Sequence, residues 1–186
     1  RNLFHYDGKN RLLESWRIMR SCQFERNLYF YSEAGLLREM QVYEGIIAEN
    51  STDYAGWLHF LPDGLLADKD GDAADIERLN LKHRHTVYYE YDGIGRLIRE
   101  TEASESVEGV KTYSYDGESG RIKEYYFYEN GIRIEQWLYT YTPQGWLQEC
   151  VYRHKDYALP STEYYEYDDE GNETAFLSNG ELCRST

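Results

Sequence analysis

The sequence predicts an all-β protein: an antiparallel meander of about seven β-hairpin repeats that curls into a spiral, a partial barrel or a two-layer sheet, with one short helix near residues 72–80. Three observations carry that expectation. An aromatic pair, usually Tyr-x-Tyr, runs seven times into a short polar turn and out into an apolar residue. The turn residue falls at 10, 35, 64, 95, 120, 145 and 171, at spacings of 25, 29, 31, 25, 25 and 26, and self-similarity at a near-fixed period marks a repeat architecture. The 186 residues hold 20 Tyr, 6 Phe and 4 Trp against 3 Pro, a composition that suits pleated, half-buried surfaces.

The repeats follow in order and make one domain over 1–186. The first (near 1–25) carries Phe4-His5-Tyr6-Asp7-Gly8-Lys9-Asn10-Arg11-Leu12, and the second (26–50) Tyr29-Phe30-Tyr31-Ser32-Glu33-Ala34-Gly35-Leu36-Leu37. The third (51–85) is degenerate, with Leu58-His59-Phe60 leading to Asp63-Gly64-Leu65-Leu66. Its tail lacks Tyr and predicts a helix from about Asp72 to Asn80 with Ile76 and Leu79 facing inward. The fourth (86–110) is the most complete, Tyr89-Glu90-Tyr91-Asp92-Gly93-Ile94-Gly95-Arg96-Leu97. The fifth (111–135) has Tyr113-Ser114-Tyr115-Asp116 and one inserted turn residue before Arg121-Ile122. The sixth (136–160) has Tyr139-Thr140-Tyr141-Thr142-Pro143-Gln144-Gly145-Trp146-Leu147, and the seventh (161–186) Tyr165-Glu166-Tyr167-Asp168-Asp169-Glu170-Gly171-Asn172-Glu173.

Alternation puts the two aromatics of a pair on one face, with an aromatic side turned inward. Asp or Thr then bonds its own turn backbone, and Gly accepts the positive φ that a tight reversal demands. The returning strand begins with Leu or Ile and often carries an acid two residues later, as in Leu12 and Glu14, Leu37 and Glu39, Ile122 and Glu124, or Leu147 and Glu149. Cross-strand Arg11, Arg96 and Arg121 are the expected partners of that acidic column. Glu44-Gly45, Glu108-Gly109 and Glu129-Asn130-Gly131 read as the turns between repeats, and 101–108 as a polar loop. The meander should hold roughly 12 to 14 strands, more than an open twisted sheet usually carries without curling.

Charge bounds the partners. Asp and Glu number 34 against 20 Lys and Arg, a formal net charge of -14, a field that repels nucleic acid and anionic lipid and attracts basic proteins. No run of roughly 20 apolar residues is present to span a bilayer as a helix. Cys22, Cys150 and Cys183 are too few for a disulfide framework and lack zinc-site spacing. The chain begins at Arg1 instead of Met, compatible with a leader or a larger parent protein.

Candidate chemistry is sparse. Asp68-x-Asp70-x-Asp72 imitates the start of a calcium loop, but Ala73 stands at the Gly position and Leu79 where a bidentate Glu is needed. His83 and His85 alternate and could share a strand face, without a third ligand nearby in sequence. No nucleophile motif and no phosphate-binding Gly loop occurs, so neither an enzyme nor a cofactor is expected. Trp57, Trp137 and Trp146 are the aromatics best placed to serve a binding surface if they face outward.

The element Tyr-x-Tyr-Asp-x-x-Gly-Arg-Leu, nearly complete over Tyr89–Leu97, resembles the YD repeat of the Rhs family. The resemblance covers essentially the whole chain, strongest over 86–173 and degenerate around 51–85. It implies tyrosine-rich β-hairpin repeats of the kind that wrap toxin domains in bacterial polymorphic toxins and related insecticidal complexes. Seven hairpins are too few to enclose a toxin, the Asp-Pro-x-Gly type element that ends such shells is absent, and no toxin domain follows Arg184, so a free-standing short array is expected over a shell fragment.

The function expected is that of a non-catalytic protein-binding repeat protein, an acidic immunity or antitoxin type that masks a basic toxin domain. Its contact residues would be Asp68, Asp70, Asp72, Asp75, Trp57 and Trp146. The alternatives are a fragment of a toxin-encapsulating shell, a cell-surface module that binds glycans, or self-association through sheet edges. An immunity protein would be cytoplasmic, and a shell or glycan-binding segment would lie at the cell surface or outside it.

Overall fold

The computed structural model describes residues 2–18, 23–46 and 81–185. These residues form thirteen strands in an antiparallel meander, ordered as in the chain within one open sheet. The strands are β1 (Asn2–Tyr6), β2 (Leu12–Ile18), β3 (Gln23–Tyr31), β4 (Leu37–Ile46), β5 (Lys82–Tyr91), β6 (Leu97–Ser104) and β7 (Glu108–Tyr115). They continue as β8 (Ile122–Glu129), β9 (Ile132–Tyr141), β10 (Leu147–His154), β11 (Ser161–Tyr167), β12 (Glu173–Ser178) and β13 (Glu181–Ser185). The hairpin expected around residue 64 and the helix expected near 72–80 lie outside the described residues. Among the described residues no helix is long and apolar enough to cross a membrane.

Five of the six described aromatic-to-apolar turns close alike. Asp7, Ser32, Asp92, Thr142 and Asp168 donate their amide to a carbonyl four residues on, and each accepts at its own carbonyl an amide three residues on. That third residue is left-handed: Asn10 at φ 61°, Gly35 at 82°, Gly95 at 86°, Gly145 at 95° and Gly171 at 86°. The inserted residue of the fifth repeat stretches the closure to Asp116 N–H donating to Arg121 O at 3.0 Å. A register shift falls just before the second aromatic in four repeats, at His5/Tyr6, Phe30/Tyr31, Ser114/Tyr115 and Glu166/Tyr167. Such bulges re-aim a side chain, and Tyr31, Tyr115 and Tyr167 lie against the turn of the preceding repeat.

The opposite edge holds the connections between repeats. Asn130-Gly131 and Asn179-Gly180 are reversals with positive φ at both residues, the signature of the two-residue hairpin turn whose twist matches its strands. Two other expected turns are strand. Gly45 sits in β4 opposite Phe24, and Gly109 sits in β7 opposite Glu129, because pairing on the adjacent strand outweighs the local turn preference of Glu-Gly. Likewise residues 101–104 complete β6 instead of forming a loop.

The chain divides into two compact units, Arg1–Tyr88 with Ala103–Glu105, and Tyr89–Glu102 with Ser106–Thr186. The first holds most of the buried side chains: Trp16 at 2% exposure, with Phe24, Val42, Leu81 and Val87. Trp16 and Leu81 pack together, covered by Leu3 and Tyr43. In the second, Tyr113, Tyr125, Trp137 and Tyr152 stand opposite one another on four adjacent strands. Their rings meet at 5.4 Å for Tyr113 and Tyr125 and 4.4 Å for Trp137 and Tyr152. The expectation of aromatics turned inward is therefore met only in part. Among the described residues just two aromatic side chains, Trp16 and Phe24, are buried.

The acidic column finds partners other than the turn arginines. Glu14 Oε1 accepts from Arg26 Nε at 2.6 Å and Trp16 Nε1 at 2.9 Å. Glu39 accepts from Gln41, Glu124 from the Tyr126 hydroxyl, Glu163 from the Tyr165 hydroxyl, and Glu100 from Tyr113 and Lys111. Arg11, Arg96 and Arg121 bond the aspartates of their own turns, Asp7, Asp92 and Asp116. The histidine pair is also split. Tyr43 stands opposite His83 and Val42 opposite His85, with Arg84 the extra residue of a bulge, so the two histidines point to opposite faces.

Candidate functional site

The turn row is built from one recurring contact between neighbouring repeats. Asp92 Oδ1 accepts the amides of Ile94 at 3.0 Å and Arg96 at 2.9 Å, while Oδ2 accepts Arg96 Nε at 2.7 Å. Thus anchored, the Arg96 guanidinium lies 4.5 Å over the ring of Tyr115 in the next repeat. The Tyr115 hydroxyl donates back to Leu97 O at 2.6 Å. Arg11 lies 5.0 Å over Tyr31 and Arg121 5.3 Å over Tyr141. Tyr31 and Tyr141 donate to Leu12 O at 2.8 Å and Ile122 O at 2.6 Å. In these three repeats Arg and the Leu or Ile after it are therefore the seat for the second Tyr of the next.

These contacts set the local charge states. The backbone amide of Arg11 holds the Asp7 carboxyl below its ordinary range, and that of Arg96 does the same for Asp92. Asp168 is lowered first by the Asn172 side-chain amide. Burial raises the Tyr31 and Tyr141 hydroxyls, which keeps them protonated as donors.

The sixth repeat departs from the pattern. Trp146 occupies the Arg position and lies 5.4 Å from the Tyr167 ring, tilted at 43°, where the first, fourth and fifth repeats place a guanidinium. It also covers Gly171, at which a Cβ would come within 2.6 Å of Trp146 Cζ2. Beside it opens a cavity of about 320 Å³ lined by Thr142, Gln144, Trp146, Gln148, Tyr165, Glu166, Tyr167, Asp168 and Asp169. An indole, two side-chain amides and three carboxylates converge there, and Asp168 is fixed by the amides of Glu170 and Asn172 at 2.9 and 2.8 Å. An aromatic ring with planar hydrogen-bonding groups around it suits a polar, hydroxyl-rich ligand.

Of the residues singled out from sequence, Trp146 is half-buried at this cavity. Trp137 lies in the aromatic row, against Tyr152. Asp68, Asp70, Asp72, Asp75 and Trp57 lie outside the described residues. Gln144, Gln148, Glu166, Asp168 and Asp169 were not singled out; the signal that points to them is Trp146 itself, the one repeat with a ring in a guanidinium's place. Among the described residues no group of three or more His, Cys, Asp or Glu is arranged to hold a metal ion. Cys150 is a buried free thiol pushed up to about 11 by burial, and Cys183 is free and exposed.

No family model matches the sequence, and no curated protein matches it. Solved structures do align with it. The crystal structure of TcdB2-TccC3-Cdc42 is 14% identical over 96% of this chain and 9% of that chain, with a TM-score of 0.40. The crystal structure of TcdB2-TccC3-TEV is 12% identical over 96% of this chain and 11% of that one, with a TM-score of 0.30. The chain spans about a tenth of the length of those proteins.

Proposed function

We propose that the chain is a non-catalytic protein-binding repeat protein whose acidic surface captures a basic protein, in the manner of an immunity protein masking a toxin domain. The observation that carries this reading is the disposition of charge. The arginines of the turn motif are tied down by their own aspartates and by the next tyrosine. Glu33, Glu118, Asp169 and Glu170 stand exposed on the same turns. A chain of net charge -14 then presents a negative surface whose long-range attraction speeds encounter with a cationic partner.

The test is affinity capture from cells of the source, including the products of neighbouring genes, at low and at raised salt. A small basic protein recovered at low salt and released at high salt is the expected result; recovery of no protein partner overturns the reading. A second reading has its own observation in the Trp146 cavity, whose indole, amides and carboxylates suit a saccharide. Titration with a panel of mono- and oligosaccharides should quench Trp146 fluorescence, and Trp146→Phe should abolish that signal; no response across the panel removes this reading.

A further inference from the structure

The edge of the second unit opposite the motif turns carries a periodic row of exposed apolar side chains. Val107 is 41% exposed, Ile132 62%, Tyr157 64% and Leu182 62%, and they recur at intervals of 25 residues. The connections that carry them share one edge, where register turns Ile132 toward the Trp137 face and Leu182 toward the other, so the row straddles the rim. Asn130 N–H donates to Glu108 O, Lys155 N–H to Ile134 O, and Asn179 N–H to Thr162 O, so each connection is hydrogen-bonded to the hairpin beside it. Leu159, 80% exposed, adds to the row beside Tyr157. The motif turns of this unit present a single exposed large apolar residue among the described residues, Ile94, so apolar exposure is concentrated on one edge. Scattered exposed apolar residues are ordinary, whereas a contiguous set rimmed by charge marks an interaction site.

We propose that this rim is a docking surface for an amphipathic α-helix of a protein partner, one with apolar residues at every seventh position and basic residues flanking them. The proposal rests on the reading of the chain as a protein-binding module and names the surface it uses. Spacing favours a helix: two strands advance roughly 9.6 Å across a sheet, and seven helical residues advance about 10.5 Å. Charge complementarity selects a basic one. Exposed Glu108, Glu129, Asp156 and Glu181 flank the row against exposed Arg133 and Lys155, while Arg184 is held by Glu173. The same acids disfavour a second copy of this chain and an anionic lipid surface, since like charges face to face oppose association.

The test uses the full chain and a synthetic peptide of about four heptads, with Leu at every seventh position and Lys at the flanking ones. The peptide should gain helicity on binding. A variant combining Val107→Ser, Ile132→Ser, Tyr157→Ser and Leu182→Ser, shown by far-ultraviolet circular dichroism to keep its fold, should bind it at least about tenfold more weakly. Glu108→Lys with Glu129→Lys and Glu181→Lys should weaken it comparably. A scrambled peptide of equal composition that binds as well, or a serine variant that binds as tightly as the parent, overturns the proposal. So does a concentration-dependent dimer in sedimentation that the serine variant abolishes, which would give the rim to a second copy. If a captured basic protein binds the serine variant and the parent alike, the rim is wrong while the protein-binding reading stands; if no partner is captured, that reading itself fails.

Discussion

Glu14 is exposed to water by only 8% of its surface and serves two donors at once. Arg26 closes the arrangement by lying 5.2 Å over the Trp16 ring. Removing one member of a buried pair strands the other's charge, so Glu14→Ala should lower stability by about 3–5 kcal/mol in urea unfolding. The half-buried turn carboxylates act through pH instead. The Arg96 backbone amide holds Asp92 below the ordinary carboxylate value in the folded protein, so its contribution is fully present above that ordinary value and is lost as pH falls through the lower, folded one. Asp92→Asn should therefore unfold at lower urea than the parent near neutral pH, and the two midpoints should converge below about pH 3. A constant gap across that range would show that the carboxylate charge plays no part. The sequence exposed the identity of Glu14 as one of a column of acids but not its partner, because Arg26 comes from the opposing strand and its register follows from pairing.

At the scale of the hairpin, the turn was legible and its purpose was not. Asp92 and Gly95 announce a reversal from within nine residues, whereas the seat for Tyr115 is Leu97 in the preceding repeat, reached across a bulge that no local pattern marks. For the same reason Trp146 stood out in the sequence while Glu166 and Asp169, supplied by the next turn, did not. Tyr141→Phe should cost about 0.5–1.5 kcal/mol through the lost bond to Ile122 O. The glycines separate backbone strain from crowding. Gly95 has nothing within 4 Å of a new Cβ, but at Gly171 the indole of Trp146 intrudes. Gly95→Ala should cost about 1–2 kcal/mol for its positive φ alone, and Gly171→Ala about 1–3 kcal/mol more. Equal costs in chemical denaturation would mean that Trp146 does not rest on that turn.

For the molecule as a whole, the all-β meander could be read from period and composition, since both are sums over many residues and tolerate local errors. The extent of burial could not, because the same Tyr-rich strand pattern serves an open sheet and a closed one. Net charge gives a prediction at this scale. Self-repulsion among the acids should make the melting temperature rise as salt goes from about 0.01 to 0.15 M, while the affinity for a basic partner falls over the same range. A melting temperature that drops would instead place the weight on internal ion pairs such as Asp92 and Arg96. The contact in which each Arg-Leu seats the next Tyr has one more consequence, for how such a chain can change its length. The joints at Tyr115 and Tyr141 present the same socket and the same plug, so residues 116–141 can be excised, joining Tyr115 to Thr142. Tyr115 keeps its seat on Arg96 and Leu97, and Trp146 keeps Tyr167. The array is then a string of interchangeable parts, able to lose or gain a hairpin by recombination without inventing a new interface.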